Sequence, residues 1–198
     1  DKNNATYISP TINIKRYNRQ KIHNQKEETI IGWTGTISSK EYLKIIEPVL
    51  LRLSKIRKIK FLVIGNFDYD LKEVSTETIF WSKENEINDL LKIDIGVYPL
   101  FDDEWVSGKS GLKALQYMAL GIPPIATNVG NNINIIENEK NGFLVKSQED
   151  WYNTLLKLID DSLLRNKIGE EAVKTIHQFY SIEVLSKKYL NIFHNINK

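Results

Sequence analysis

The chain has 198 residues, of which 41% are hydrophobic, and this length suits one domain of ordinary size with a buried core. A formal net charge of +2 gives no strong field for nucleic acid, and the absence of cysteine excludes disulfides and thiolate metal sites. The three histidines are scattered without ligand spacing, no apolar run is long enough to span a bilayer, and no signal peptide opens the chain. We therefore expect a cytoplasmic protein with no bound metal and no nucleic-acid partner.

Residues 1–28 are polar and weakly patterned, and we interpret them as a linker from a domain outside this chain. From residue 29 onward, apolar runs predict six strands, at 30–35, 61–65, 78–81, 93–99, 122–127 and 142–145. Helical periodicity predicts the segments between and after them, at about 38–53, 84–91, 109–120, 148–160, 162–178 and 181–196.

Local signals refine two of these helices. Ser38 followed by Glu41 predicts a capping box at the start of the first helix, and Pro48 predicts a kink or a restart within it. In the helix that begins near Lys109, Leu112 is expected to face inward together with later apolar residues. Among the tryptophans, Trp33, Trp81 and Trp151 are expected to pack in the core, whereas Trp105 is the candidate for a functional aromatic side chain.

Strands that are apolar throughout and alternate with helices predict a parallel sheet covered on both faces. We therefore predict an α/β fold with a doubly wound, Rossmann-like parallel sheet over residues 29–178, followed by a C-terminal helix over 179–198. In such a sheet, ligands bind beyond the carboxyl ends of the strands. Three loops should meet there: the one after the first strand, the one over 100–108, and the one over 128–132.

The segment 107–113 (SGKSGLK) is a loop of small residues that opens a helix. Helix N-termini present unpaired N–H groups and a partial positive charge, and Lys109 and Lys113 add two full charges one turn apart. This chemistry suits a diphosphate. A P-loop is disfavoured because Asp103 stands where that motif requires its first glycine.

Taken alone, the segment fits equally well an ordinary loop beside a solvated helix face, and the convergence of the three loops favours an anion site. The residues predicted to line the site, besides the two lysines, are Gly35, Thr36, Gly108, Ser110, Gly111, Leu112, Gly130, Asn131 and Asn132.

An ordered set of motifs resembles the C-terminal half of retaining glycosyltransferases of the GT-B fold, the glycosyl transferases group 1 family. The set comprises Gly32-Trp33-Thr34-Gly35, Asp94-Ile95, Pro99-Leu100, Gly108-Lys109, Lys113, Tyr117-Met118-Ala119, Gly121-Ile122-Pro123, Val129-Gly130, Asn132, Asn141-Gly142-Phe143-Leu144 and Trp151. The resemblance implies one of two Rossmann-like domains that face each other across a cleft. It implies that this chain binds the nucleotide sugar, that an N-terminal acceptor domain is missing, and that the fragment alone is inactive.

The chain departs from the family pattern at several positions. The two family glutamates align with Gly108 and Gln116, of which Gln116 can still hydrogen-bond a ribose hydroxyl. The family's arginine position holds Thr36, and Lys40 lies near the family's lysine position, so the resemblance leaves Lys109 and Lys113 to carry the diphosphate charge. A carboxylate could come from the acidic run over 102–104.

The resemblance implies retaining transfer of a sugar from a nucleoside diphosphate to an acceptor hydroxyl, with no cofactor besides that donor, in cell-surface polysaccharide or glycolipid synthesis. It also allows peripheral contact of the full-length protein with the inner membrane. Two other classes remain open: a related GT-B epimerase or phosphorylase, which shares the fold, and a non-catalytic nucleotide-binding module. A phosphoacceptor receiver is disfavoured because no acidic pair follows the first strand.

Overall fold

The computed structural model describes residues 7–196, apart from the side chains of residues 107, 195 and 196. Residues 1–6 of the predicted linker and 197–198 of the predicted last segment lie outside the described residues. The strands are β1 (Thr29–Thr34), β2 (Ile59–Gly65), β3 (Ser75–Phe80), β4 (Ile95–Tyr98), β5 (Pro124–Thr127) and β6 (Phe143–Val145).

These strands form one sheet in the order β3-β2-β1-β4-β5-β6, and every neighbouring pair is parallel. The chain winds outward from β1 in one direction and returns to β4 to wind in the other. The predicted doubly wound parallel sheet is therefore confirmed, and its order reverses between β1 and β4. A crevice opens at such a reversal because neighbouring connections leave toward opposite faces of the sheet.

Eight α-helices accompany the strands over the described residues: α1 (Glu47–Ser54), α2 (Glu86–Leu90), α3 (Glu104–Ser107), α4 (Leu112–Ala119), α5 (Asn132–Ile135), α6 (Gln148–Asp160), α7 (Ser162–Thr175) and α8 (Ile182–Ile196). A 3₁₀ segment (Ile37–Ile45) precedes α1, and a π-helical turn (Ile176–Tyr180) follows α7.

Each face of the sheet carries its own hydrophobic core. Along β2, Phe61 and Val63 enter one cluster with α1 and α6, whereas Leu62 and Ile64 enter the other with α4 and Ile176. Successive side chains of a strand point to opposite faces, so the two clusters lie on the two sides of the sheet. This two-sided burial explains why the inner strands are largely apolar, whereas the edge strand β3 carries polar and exposed residues.

Several local predictions need correction. The capping box at Ser38 and Glu41 is wrong, because the 3₁₀ segment begins at Ile37 without a side-chain cap and Glu41 pairs with Lys44 at 2.6 Å. Pro48 is the second residue of α1 and marks a restart of the helix, as one of the two expected outcomes. The short helix α3 was not predicted.

The helix expected from residue 109 begins at Leu112, since Gly111 adopts a φ of +79° that interrupts it. Leu112 is 40% exposed, so its predicted inward orientation is wrong. Trp33 and Trp151 are buried in the core, which confirms two of the three tryptophan predictions. The third is wrong, because Trp81 follows the last residue of β3 and is 49% exposed.

The segment before β1 packs against the domain. Asp94, just before β4, is buried and accepts the Ile30 N–H at 2.8 Å. Its carboxylate also pairs with Lys21 at 3.2 Å and Lys26 at 2.6 Å. Burial alone would raise the pKa of Asp94, but the hydrogen bonds from Lys26 and Ile30 and the charges of both lysines lower it overall. This ion cluster fixes the path of the segment that leads into the sheet.

Candidate functional site

A cleft of about 720 Å³ opens at the carboxyl ends of β1, β2 and β4. Thr34, Gly65 and Tyr98, the last residues of these three strands, form its floor. Loop residues, the first turns of α4, Glu86 on α2 and Trp81 complete its lining. The cleft therefore lies where the sheet order reverses, which is the position that a doubly wound sheet gives to a ligand.

Most of the predicted site residues line this cleft. They are Gly35, Thr36, Gly108, Lys109, Ser110, Leu112, Lys113 and Gln116. The predicted residues Gly111, Gly130, Asn131 and Asn132 do not line it, and neither do the acidic residues 102–104. Asp103 instead accepts the Val106 N–H at 2.8 Å as the N-cap of α3.

The loop over 130–132 packs against the segment that carries Lys109 and Ser110. Asn131 donates from Nδ2 to the Ser110 carbonyl at 2.7 Å, and a Cβ on Gly130 would lie 3.0 Å from the Val106 carbonyl oxygen. Asn132 is buried and donates to the Thr127 carbonyl at 3.0 Å. These contacts hold the loop in place, and direct contact of this loop with a phosphate stays a prediction.

Lys113 is the central cation of the cleft. It rises from the first turn of α4, and its Nζ lies 4.6 Å from the Trp33 ring centroid and 5.5 Å from that of Tyr98. Burial, and secondarily the positive charge of Lys109, lower the pKa of Lys113 from 10.5 to about 7. No carboxylate pairs with either lysine among the side chains that the structure describes. No described side chain therefore neutralises these two groups.

Gly35 makes room for this ammonium group. A Cβ at position 35 would overlap the Trp33 ring and lie 2.6 Å from Lys113 Nζ. Only a residue without a side chain allows the strand end, the indole and the ammonium group to meet here.

Lys109 lies in the loop that precedes α4, whereas the sequence predicted it on the helix, and its Nζ is 5.0 Å from the Tyr42 ring centroid. The first residue of α4 is Leu112, and the N-cap Gly111 provides no side-chain hydrogen bond to the first turn. The first turn of α4 therefore keeps N–H groups without a side-chain cap, and its residues Leu112 and Lys113 line the cleft together with Lys109.

Glu86 is the centre of a hydrogen-bonded group in the lining of the cleft. Glu86 on α2 accepts hydrogen bonds from Trp81 Nε1 at 3.2 Å and from Gln116 Nε2 at 3.1 Å, both at Oε1. Its Oε2 accepts from the Tyr17 hydroxyl at 3.3 Å and pairs with Arg16 at 2.7 Å. Burial is the main cause that raises the pKa of Tyr17 to about 12, so its hydroxyl stays protonated.

Sequence reasoning missed Trp81 and Glu86 as site residues. Trp81 directly follows β3, so the rule that places ligands at the carboxyl ends of parallel strands could have found it. Glu86 has no comparable signal, because its partners Arg16 and Tyr17 are about 70 residues away in the sequence.

No helix within residues 7–196 combines the length and the apolar character that crossing a bilayer requires.

The fold and the cleft define a class: a Rossmann-like α/β domain with two lysines in a cleft at the reversal of its parallel sheet. The sequence profile of the glycosyl transferases group 1 family matches residues 14–175. The chain therefore belongs to this family and forms one half of a GT-B fold.

Individual relatives agree with this assignment. The capsular polysaccharide biosynthesis glycosyltransferase CapM of Staphylococcus aureus is 22% identical over 182 residues, which cover 85% of this chain and 47% of CapM. The crystal structure of the C-terminal domain of a glycosyl transferase group 1 family protein (LpcC) from Francisella tularensis is 26% identical, with a TM-score of 0.62, over 88% of this chain and 96% of that one. Anabaena HepE, crystallised with UDP-glucose, shares the fold at 13% identity and a TM-score of 0.63, over 86% of this chain and 49% of HepE. The chain covers less than half of the first curated relatives it matches.

Proposed function

We propose that this chain is the donor-binding domain of a retaining glycosyltransferase, and that its cleft holds a nucleoside-diphosphate sugar. The observation that carries the proposal is the pair Lys109 and Lys113, which face the cleft beside the N-terminus of α4 without a described carboxylate partner. The UDP-glucose bound to HepE supports a nucleotide sugar as the ligand. Membership of the glycosyl transferases group 1 family favours transfer over epimerisation or phosphorolysis, which share the fold.

The two lysines act on the leaving group. When the bond between the sugar and the diphosphate breaks, negative charge grows on the diphosphate while the anomeric carbon becomes cation-like. Fixed ammonium and N–H groups in a partly dehydrated cleft stabilise that charge without having to reorganise. One such contact is worth about 2.7 to 4 kcal/mol of barrier in other preorganised sites.

Lys113 also changes its protonation when the ligand binds. In the empty cleft, burial and the charge of Lys109 hold its pKa at about 7, so the group is only partly charged at neutral pH. A diphosphate nearby favours the protonated form and draws a proton onto Lys113. The cleft therefore reaches its full positive charge only when the anion is present.

The acceptor hydroxyl binds, in this proposal, on a further domain of the full-length protein. Helix α8 exposes Ile182, Leu190 and Phe193, and this apolar surface suits contact with that domain. The isolated chain is then expected to bind the donor without transferring the sugar. The name of CapM supports a role in cell-surface polysaccharide synthesis, where the donor would be drawn from the cytoplasm and the acceptor presented at the inner membrane.

Calorimetric titration of the purified chain with UDP, GDP and ADP, each alone and as its glucose derivative, tests the proposal. We expect one base to bind, and we expect Lys109→Ala and Lys113→Met each to weaken binding at least tenfold. Lys40→Met is the matched control, because this exposed lysine stacks on Phe67 and Tyr69 and does not line the cleft. Lack of binding to any diphosphate, or equal binding by the two cleft variants and the control, would contradict the proposal.

A further inference from the structure

The ammonium group of Lys109 rests on an aromatic ring. Its Nζ lies 5.0 Å from the centroid of the Tyr42 ring, inside the range of about 6 Å at which a ring face attracts a cation. Over residues 7–194, leaving aside residue 107, no carboxylate forms an ion pair with it. A carboxylate in place of the ring would also hold the ammonium group, but it would cancel the charge that an anion needs. A neutral ring holds the group and leaves its charge intact.

The backbone of Lys109 is fixed, but its side chain needs separate support. The Lys109 N–H donates to the Val106 carbonyl at 2.9 Å, and Asn131 donates to the carbonyl of the next residue, Ser110, at 2.7 Å. Since Lys109 precedes α4, no helix fixes the direction of its side chain. A free lysine side chain has many rotamers, and a ligand that orders them loses affinity. The contact with Tyr42 removes part of this cost before the ligand binds.

Tyr42 is itself held firmly and carries no charge. It lies on the 3₁₀ segment after β1 and is 8% exposed. Its ring meets that of Phe101 edge to face, with centroids 5.1 Å apart and an angle of 61° between the ring planes. Burial, and secondarily the charge of Asp103, raise the pKa of Tyr42, so its hydroxyl stays protonated at neutral pH.

The contact between Tyr42 and Lys109 joins two segments that leave the sheet at its reversal. Tyr42 belongs to the segment after β1, and Lys109 to the segment after β4, the two strands between which the sheet order reverses. Lys109 lines the cleft, whereas Tyr42 does not. Tyr42 can therefore influence a ligand in the cleft only through a neighbour such as Lys109.

We propose that Tyr42 is a positioning residue, whose ring holds the ammonium group of Lys109 in the cleft so that a bound diphosphate meets a full positive charge already in place. This inference rests on the proposed function, since it takes an anion to bind at Lys109. It gives the 3₁₀ segment a part in anion binding that requires no contact with the ligand.

A double-mutant cycle between Tyr42 and Lys109 tests this inference, by calorimetry with whichever of UDP, GDP and ADP binds the wild type most tightly. Tyr42→Leu keeps an apolar side chain but has no ring, and it should weaken binding about three- to tenfold, the effect of having to order one long side chain. In the Lys109→Ala background the same substitution should change the affinity by less than about 1.5-fold, because no ammonium group remains to be positioned. A purely structural role of Tyr42 would weaken binding by the same factor in both backgrounds.

Two further variants complete the cycle. Tyr42→Phe keeps the ring and should restore the affinity to within about twofold of wild type. Tyr152→Leu is the matched control, because the Tyr152 ring lies 3.5 Å from the guanidinium carbon of Arg52 and does not line the cleft. This control removes a ring from beside a cation elsewhere and should leave nucleotide affinity unchanged. Tyr42→Met serves if far-UV circular dichroism shows that Tyr42→Leu does not fold.

Proton NMR gives a measurement that needs no ligand. The Hε protons of Lys109, identified by their absence from Lys109→Ala, should be shifted upfield by the ring current of Tyr42. The shift should persist in Tyr42→Phe and disappear in Tyr42→Leu.

Equal losses in both backgrounds, wild-type affinity in Tyr42→Leu, a loss in Tyr42→Phe as large as in Tyr42→Leu, or the absence of the ring-current shift would each overturn this inference alone. A wild type that binds neither the three nucleotides nor inorganic pyrophosphate overturns the proposed function and this inference with it.

Discussion

Replacing Lys113 by methionine should stabilise the chain while it removes ligand binding. The substitution deletes a buried ammonium group and keeps a flexible apolar side chain beside the Trp33 ring. The pKa of Lys113 is about 7 in the folded chain, against 10.5 for an unperturbed lysine, the value expected in the unfolded chain. That difference corresponds to about 5 kcal/mol of free energy at most, at 1.36 kcal/mol per unit of pKa.

The pH dependence follows from proton linkage. Between pH 7 and 10.5 the unfolded chain binds a proton at Lys113 that the folded chain has released, so this group makes the wild type more stable as the pH rises. The destabilisation of the fold by the buried Lys113 is therefore largest below pH 7 and vanishes near pH 10.5. The free energy of unfolding of Lys113→Met should therefore exceed that of wild type most strongly at pH 6, and the gain should shrink by about 1 kcal/mol per pH unit from pH 7 to 9.

Urea unfolding at pH 6, 7.5 and 9, followed by fluorescence and far-UV circular dichroism, measures this gain. Lys40→Met is the control, and removal of this exposed lysine should change the free energy of unfolding by less than about 0.5 kcal/mol at each pH. A Lys113→Met variant that is less stable than wild type at pH 6, or whose gain does not change with pH, would refute the reasoning about the buried cation.

Three further predictions concern binding and stability. Diphosphate binding should take up a fraction of a proton near pH 7 and weaken as the pH rises above 7, because the pKa of Lys113 without a ligand is about 7. Titrations at pH 7 in buffers of different ionisation enthalpy measure this proton uptake. Absence of proton uptake would argue against Lys113 as the residue that binds the anion. Gly35→Ala should weaken nucleotide binding at least tenfold, because the new Cβ would overlap the Trp33 ring and lie 2.6 Å from Lys113 Nζ, so that the ammonium group must move. Calorimetry on a variant whose far-UV circular dichroism matches that of wild type measures this effect, and unchanged affinity would show that the ammonium group is not needed at that place. Asp94→Asn should lower the free energy of unfolding at pH 7 by about 2 to 3 kcal/mol, allowing for the exposure of Lys26. This difference from wild type should diminish as the pH falls through the lowered pKa of Asp94. Chemical denaturation at pH 7 and pH 3 measures it, and an equal difference at both pH values would contradict the prediction.

The parallel sheet could be predicted because most of its strands are apolar runs that alternate with helices, a pattern typical of a sheet covered on both faces. Strand β3 fits this pattern least, because it is largely polar and no helix separates it from β2. That both lysines line the cleft was also predicted, but the reason given was wrong: Lys109 lies in the loop before α4, so the two lysines do not share a helix face. The apolar character of Trp81 predicted a buried position, but Trp81 follows β3, which is an edge strand, and its side chain is exposed at the cleft.

Two features became known only from the structure: the start of α4 and the hydrogen-bonded group around Glu86. The start of α4 at Leu112 could not be predicted from the hydrophobic pattern alone, because it depends on the positive φ of Gly111. The role of Glu86 arises from the side chains of Tyr17 and Gln116, which are brought together only when the segment before β1 folds back on the domain. Contacts between such distant parts of a chain leave no local pattern.

The central claim is that Lys109 and Lys113 grip a diphosphate at the start of α4. A crystal structure of this chain with the nucleoside diphosphate that binds most tightly tests it most directly. We predict diphosphate oxygens within about 3.5 Å of both Nζ atoms, with the nucleoside directed toward Trp81. Density for the nucleotide elsewhere, with both ammonium groups directed into solvent, would contradict the account.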